Sequence, residues 1–407
     1  MGGHDRTRRR ARRVAVLMPA LLALGAASCA GGRPAAGGPY TPPAAPTADA
    51  TAPCGLQATQ EGAEGPTDFE QYVRPKGTVR AVMLFVDFPD APAAEKAAGR
   101  HDAYRPAADW YRTASYGQLD LKIDPLLRWV RMPKASTAYG MEPGYSAATH
   151  AAYITDALTA AKAADPALDL SGRPIVYVVA TLSAGEIDTR ATAAYVAGEP
   201  VKAGPDEILT AATFFGDDEH HKYRVVVHES GHLFGLPDLY PSAGGGNGAY
   251  VGEYDVMAEE TGRHPDFLAW HKHKLGWLTP AQVHCVRTPG TTEHHLSPVE
   301  TAPGVKAVVI PTGKTTALAA EVRARTGVDA EACRTGVLVY SVDTAAGTGK
   351  GPIRLLGPRP PKDYPCQAAY DLSAGGTAEY RSPDGRTVIT LIHQDADGSY
   401  TLRVARS

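Results

Sequence analysis

The sequence predicts an α+β fold, on three observations. Apolar runs of strand length alternate with helical patterns up to about residue 285. Beyond that point, short alternating segments between Gly and Asp turns take over. Within the first part lies one helix whose polar residues repeat at a spacing suited to shared ligand chemistry. Composition permits such a fold: of 407 residues, 43% are hydrophobic and 21% charged, too apolar for a chain disordered throughout. With 41 Lys+Arg against 44 Asp+Glu and a formal net charge of −3, the chain lacks the clustered positive charge that phosphate neutralisation needs. Nucleic acid is not an expected partner.

The first residues form an address. Met1 to Arg13 carries six Arg and one Asp, Val14 to Ala27 is a 14-residue apolar run, and Ser28-Cys29-Ala30 follows. A basic start, a short apolar run and small residues at its end predict a signal peptide over residues 1–28. The run falls short of the roughly 20 residues of a membrane-spanning helix. Ala26-Ala27-Ser28-Cys29 reads as a bacterial lipoprotein cleavage box, with Cys29 as the lipid-bearing N-terminus. The expected location is extracellular, on the outer face of the cell membrane, with that lipid as the only membrane contact; without the lipid the protein is secreted. Export leaves 35 Lys+Arg against 43 Asp+Glu, a net charge of −8. It also leaves Cys54, Cys285, Cys333 and Cys366, enough for two disulfides with three connectivities open. Proximity favours Cys333 with Cys366, and then Cys54 with Cys285.

Residues 29–66 are rich in Ala, Gly, Pro and Thr and nearly free of large apolar side chains, so they read as a flexible tether with order beginning near Asp68. Residues 67–284 form the first folded part. Thr78–Asp87 and Pro174–Leu182 are apolar and β-rich, as expected of buried strands. Pro106–Gly117 reads as a helix ended by Gly, and Ser146–Ala164 as the longest helix. Glu207–Phe215 is expected to be an edge strand along which an extended substrate could lie. Asp217-Asp218-Glu219 opens the next helix, where acids suit the positive end of the helix dipole. Residues 285–407 are β-rich, with Val305–Pro311, Ala317–Arg325, Thr335–Val342 and Thr387–Val404 alternating in strand fashion.

The chemistry is concentrated in residues 228–238. His228-Glu229-Ser230-Gly231-His232-Leu233-Phe234-Gly235-Leu236-Pro237-Asp238 reads H-E-x-x-H-x-x-G-x-x-D. Positions i and i+4 share one face of a helix, so both imidazoles can reach one tetrahedral ion. Glu229 is turned about 100° from His228, too far to be a ligand but suited to contact the water that reacts. Gly235 permits a left-handed turn, Pro237 prevents the helix from continuing, and Asp238 can then return as a third ligand. Three protein ligands with one open position is the catalytic rather than the structural zinc arrangement. By chance alone, H-E-x-x-H is expected on the order of a few times per hundred such chains, and the added Gly and Asp lower this by roughly two orders of magnitude.

These residues resemble the M6 family of zinc endopeptidases, typified by bacterial immune inhibitor A, within the metzincin clan. Gly252-Glu253-Tyr254-Asp255-Val256-Met257 is similar to the family's Met-turn segment, with Tyr in place of Trp. Phe85–Asp90, Ser115–Leu119, Leu268–Trp270, Leu275–Trp277, Glu321–Arg323 and Gly336–Asp343 match further family segments in order, so that the likeness spans about residues 78–345. The resemblance implies a metzincin-like zinc peptidase domain: a twisted sheet, a backing helix, an active-site helix and a Met-turn, followed by the β-rich region. It implies a monomeric endopeptidase acting on protein or peptide substrates. Zinc would be held by His228, His232 and Asp238, Glu229 would be the general base, and Met257 a floor below the metal. Calcium is a second implied cofactor, with Asp87, Asp90 and Asp255 as candidate ligands beside ordinary turn and capping roles. Family members carry a pro-domain, for which residues 29–66 leave little room.

Alternatives remain at this stage. Glu253 lies 21 residues after His232, a spacing at which other zinc peptidase clans place a third ligand. Tyr254 and His264 are candidates to stabilise an oxyanion, with packing and a solvated loop as their ordinary roles. His220-His221 read as covering the helix start, with a second metal site as the alternative, and His271, His273, His294 and His295 read as exposed polar residues. No G-x-S-x-G elbow occurs, and no cysteine sits in a thiol-protease context. The competing class is a surface binding protein on an inactive scaffold, against which an intact Glu229 argues.

Overall fold

The computed structural model describes residues 53–407, apart from 60–61, 197, 204–205, 217–221 and 245. The expected signal peptide, residues 1–28, lies outside the described residues, as do Cys29 and His220-His221. The chain is a mixed α/β structure that runs β1 (Gly77–Asp87), α1 (Ala97–Tyr104), α2 (Pro106–Ala114), β2 (Leu119–Arg131), α3 (Ala147–Ala164), β3 (Ile175–Ala180), β4 (Ala193–Tyr195), β5 (Val201–Ala203), β6 (Asp206–Ile208), β7 (Thr210–Phe214) and α4 (Lys222–Leu233). After α5 (Ala269–Lys274) come β8 (Val283–Cys285), β9 (Gly290–Leu296), β10 (Ala307–Pro311), β11 (Thr316–Arg323), β12 (Gly336–Asp343), β13 (Ile353–Leu355), β14 (Glu379–Arg381), β15 (Thr387–Gln394) and β16 (Tyr400–Arg406). Among the described residues, no helix is long and apolar enough to cross a membrane.

The first sheet has the order β2-β1-β3-β7-β4, parallel except for the antiparallel β4. A parallel sheet covered on both faces needs strands that are apolar on both sides, which is why β1 reads as a continuous apolar run. Ala81, Met83 and Phe85 enter one core, and Val82, Leu84 and Val86 the other. The second core is closed by α3 through Tyr153, Ile154, Ala157, Leu158 and Ala161, with the Ser146 hydroxyl capping the helix by accepting the Thr149 N–H. The first core receives Tyr104 from α1, Trp110 and Tyr111 from α2, and Val226 and Val227 from α4.

One expectation fails at the edge of this sheet. Glu207–Phe215 is not an edge strand: Asp206–Ile208 pairs with β5 in a separate ribbon, while buried β7 lies inside the sheet between β3 and β4. The edge on this side of the sheet is the three-residue Ala193–Tyr195. Two of its three residues are Ala, a poor strand former, and it is the pairing with Ala211–Thr213 that defines it as a strand.

Part of the segment expected to be a tether is instead packed onto the fold. Residues from Pro53 onward pack against the folded chain: Cys54 is bonded to Cys285, Leu56 is buried, and the backbone N–H groups of Gln57 and Ala63 donate to Lys314 and Ala346. This strap is held by a disulfide, by backbone hydrogen bonds and by one buried ion pair. None of these depends on the large apolar side chains whose scarcity makes the segment read as unfoldable. The second disulfide joins Cys333 and Cys366, so both pairs follow the proximity expectation.

The β-rich region forms two sheets, β13-β12-β11-β10-β8 and β14-β15-β16-β9, packed face to face around Leu296, Val308, Ile310, Val322, Ile389 and Leu402. The other face of the first of these sheets sends Val309, Ala319, Leu338 and Tyr340 into the same core as Trp270, Trp277 and the helices α2 and α4. The region from residue 285 is therefore continuous with the part before it. Charged groups cross this junction too: the buried Arg323 side chain pairs with Glu300, Glu321 and Asp329, and its guanidinium also donates to the Tyr254 and Asp266 carbonyls. Lys272 on α5 is fully buried against Asp266. An ion cluster of this kind adds little over apolar packing, but losing one partner leaves charges buried and uncompensated.

His271 behaves the same way, contrary to its reading as exposed. It is 0% exposed, with Nε2 3.1 Å from Glu64 of the strap and Nδ1 2.8 Å from Asp255. Burial alone would lower its pKa, but Asp255 and Glu64 outweigh that and raise it from 6.5 to about 10. A raised folded-state pKa contributes stability in full below the unfolded value and loses it as pH climbs through the folded one. Urea unfolding of the wild type should therefore show stability falling between pH 6.5 and 10. His271→Gln, less stable at neutral pH, should lose less over the same interval; parallel pH profiles would contradict the assignment.

Candidate metal centre

Helix α4 is fixed before it presents any ligand. The Tyr111 hydroxyl donates to the Val227 carbonyl at 2.7 Å, and Tyr177 and Ser230 share a hydroxyl hydrogen bond of 2.7 Å. The helix ends in a Schellman turn: Leu236 N–H donates to the Gly231 carbonyl and Gly235 N–H to that of His232, both at 2.9 Å. Gly235 has φ +92°, and a Cβ there would lie 2.5 Å from the Thr67 methyl, so both backbone and space demand glycine. The reversed chain then brings Asp238 back over the helix face.

His228, His232 and Asp238 converge, their ligand atoms lying within 4.8 Å of one another. Asp238 Oδ1 is 3.3 Å from His228 Nε2 and 3.2 Å from His232 Nε2. Each ring is oriented from its far side. His228 Nδ1 is 2.9 Å from the Val256 carbonyl and 3.5 Å from Glu260, and His232 Nδ1 is 2.8 Å from the Leu236 carbonyl. A carbonyl only accepts, so Nδ1 carries the proton in each neutral ring and the Nε2 lone pairs face the shared point. Asp238 Oδ1 is buried and has no hydrogen-bond partner.

The electrostatics demand positive charge here. Burial disfavours protonation of His228, but Asp238, Glu260 and Glu229 outweigh it and push the imidazole up to about 10. Burial likewise opposes ionisation of Asp238, yet His232 and His228 hold its carboxyl well below the usual carboxylate range. A divalent cation satisfies the same demand with unprotonated rings, and its binding would release protons. Two imidazole nitrogens and one carboxylate oxygen suit zinc.

Glu229 is 6% exposed and lines a cavity of about 570 Å³ together with His232 and Asp238. Its Oε2 has no hydrogen-bond partner, and burial raises its pKa. Thr192, Ala193, Ala194 and Val196, at and around the edge strand β4, form one wall of this cavity. The strap and the residues after it form another through Gly62, Ala63, Thr67 and Tyr72.

Met257 lies under the helix: a Cβ on Gly231 would be 2.5 Å from its sulfur. Asp255 shapes the turn carrying Met257, accepting from the Met257 N–H at 2.8 Å and the Leu268 N–H at 2.9 Å. Glu253 does not join the histidines; its Oε2 accepts the Arg263 N–H and it borders a different cavity. Tyr254 and His264 are buried and stacked on each other with ring centroids 4.2 Å apart, so neither the oxyanion role nor the solvated-loop role describes His264. His294 is 8% exposed, also against its surface reading. Asp87 and Asp90 are taken up by protein donors, Asp87 by Arg131 and Asp90 by Ser136, and Asp255 by the turn above and His271. The one other convergence of potential ligands among the described residues, His264 with Cys333 and Cys366, has both sulfurs in a disulfide.

Two neighbours of the site escaped sequence reasoning. Tyr240 stacks on His228 with 22° between the rings, and burial together with the nearby Asp238 charge raises the pKa of its hydroxyl. Its place two residues after Asp238 was the available signal. Glu260 near His228 carried none.

No family model matches the chain, and no curated protein matches it either.

The geometry separates the two candidates for third ligand. Metal analysis of full-length variants should find Glu253→Gln retaining one zinc per chain, and Asp238→Asn losing zinc on dialysis; the reverse pattern would exchange their roles.

Proposed function

We propose that this protein is an exported zinc-dependent endopeptidase of the metzincin type, similar to the M6 family. One observation carries the reading: two ring nitrogens and one carboxylate oxygen converge on a common point, beside a buried carboxylate that faces an open cavity. The five-stranded sheet with its antiparallel edge strand, the backing helix α3 and Met257 beneath α4 support the fold assignment. Two disulfides are in keeping with an oxidising compartment.

His228, His232 and Asp238 would hold the zinc. When bound, zinc supplies Lewis acidity toward a peptide carbonyl and makes a water acidic enough to attack near neutral pH. The chain supplies the rest. The free edge of β4 offers main-chain hydrogen bonds to an extended peptide, which aligns the scissile bond with the Glu229 side of the cavity. Glu229, with one oxygen uncommitted, takes the proton of the attacking water and passes it to the leaving amine. Burial raises its affinity for that proton toward what an alternating base and acid requires. Val256 and Leu236 keep the imidazoles in the tautomer whose Nε2 is free to bind. A lipid on Cys29 would hold this activity at the outer face of the cell membrane.

Glu229→Gln should retain zinc and lose cleavage of an unstructured protein such as casein by at least about 10²–10⁴-fold, because only the proton transfer is removed. A chelator should abolish wild-type cleavage. Zinc uptake with no cleavage of any protein by the wild type would favour a binding protein instead. For the anchor, Cys29→Ala should move the protein from the membrane fraction to the medium, and unchanged fractionation would defeat that assignment.

A further inference from the structure

The third ligand is gripped by a part of the chain far from the motif. The loop between β12 and β13 reaches back to residue 238. Its Thr348 Oγ1 accepts the Asp238 backbone N–H at 2.9 Å and donates to Asp238 Oδ2 at 3.3 Å. The next residue continues the contact: Gly349 N–H donates to the Asp238 carbonyl at 3.2 Å, and the Gly349 carbonyl accepts the Ser242 N–H at 3.0 Å. Main chain and side chain of Asp238 are thus both engaged. With Oδ2 occupied by a hydroxyl, Oδ1 is the oxygen left facing both Nε2 atoms, and it is the one without a hydrogen-bond partner.

The close approach is possible because residue 349 has no side chain. Gly349 has φ +66°, and a Cβ there would lie 1.7 Å from Ser242 Oγ and 3.1 Å from the Ser242 backbone nitrogen. The loop is anchored at its base and along its length. Asp343 N–H donates to the Pro352 carbonyl, Thr344 N–H to that of Thr315, and the Ala346 carbonyl accepts the Ala63 N–H of the strap. Lys350 N–H closes a turn onto the Gly347 carbonyl.

We propose that Thr348 and Gly349 form a clamp that selects and orients the metal-binding oxygen of Asp238, so that the β-rich region is part of the metal centre. The proposal rests on the zinc-site reading above. Thr348 is a positioning residue: it acts through Asp238, in the way that outer partners of a ligand hold its geometry and tune its basicity. The clamp also accounts for the continuity of the two halves of the chain. The turn at the helix end directs the chain back to Asp238, and the loop holds the Asp238 side chain and backbone from the other side.

The test uses the full-length chain stripped of metal and titrated with Co²⁺, followed by competition with Zn²⁺, in the absence of substrate. Thr348→Val keeps the shape and removes the hydroxyl. It should weaken metal affinity by about 10–100-fold and change the visible Co²⁺ absorption. Thr348→Ser should restore both, which a purely structural role of the loop would not require. Gly349→Ala should reproduce the Thr348→Val defect by moving the loop away. A wild type that binds the ions, with Thr348→Val indistinguishable from it in affinity and spectrum, overturns the clamp alone. A wild type that takes up neither ion overturns the zinc reading and the clamp together.

Discussion

Two ring hydrogen bonds govern the arrangement. The Val256 and Leu236 carbonyls fix the Nδ1 side of His228 and His232, so the opposite nitrogens must face the point where Asp238 arrives. Neither carbonyl is in place unless the backbone around it is. Leu236 depends on the turn that only Gly235 allows. Val256 depends on the turn that Asp255 organises, and Asp255 in turn depends on His271 and Leu268. The ligand geometry is therefore the end product of packing that extends through α5 to the strap.

This dependence gives the buried ions a purpose that energetics alone does not. Replacing a buried ion cluster by apolar side chains is often neutral or stabilising, so Arg323 and its partners are weak evidence of stability. Arg323 nevertheless contacts the Tyr254 and Asp266 carbonyls, and these flank the turn bearing Met257. A directional guanidinium fixes a backbone position in a way that a leucine in its place would not. The β-rich region thus reaches the surroundings of these histidines twice, through Arg323 behind the turn and through the β12–β13 loop at Asp238.

The legible parts of the chain are those whose signal is local. The H-E-x-x-H spacing, the Gly235 turn and Asp238 fall within eleven consecutive residues, and their convergence follows from helix geometry. The buried strands β1 and β3 and the helix α3 announce themselves through apolar periodicity. What escaped is set by partners distant in sequence. Thr348 lies 110 residues from Asp238 and is one Thr among many until the fold brings it there. His271 reads as an exposed polar residue, yet it and its neighbour Lys272 are buried because Glu64, Asp255 and Asp266 await them. The edge strand β4 is defined by its pairing; of the strap, Cys54 is legible in the sequence, while the backbone bonds that hold the rest leave no compositional trace.

The central claim is that one dication is shared by His228, His232 and Asp238, and X-ray absorption at the zinc edge on the purified, zinc-loaded chain tests it most directly. The account predicts nitrogen and oxygen scatterers only, at about 2.0–2.2 Å, with an imidazole signature from two rings. Zinc with a sulfur shell near 2.3 Å, or no zinc retained above background, would contradict it.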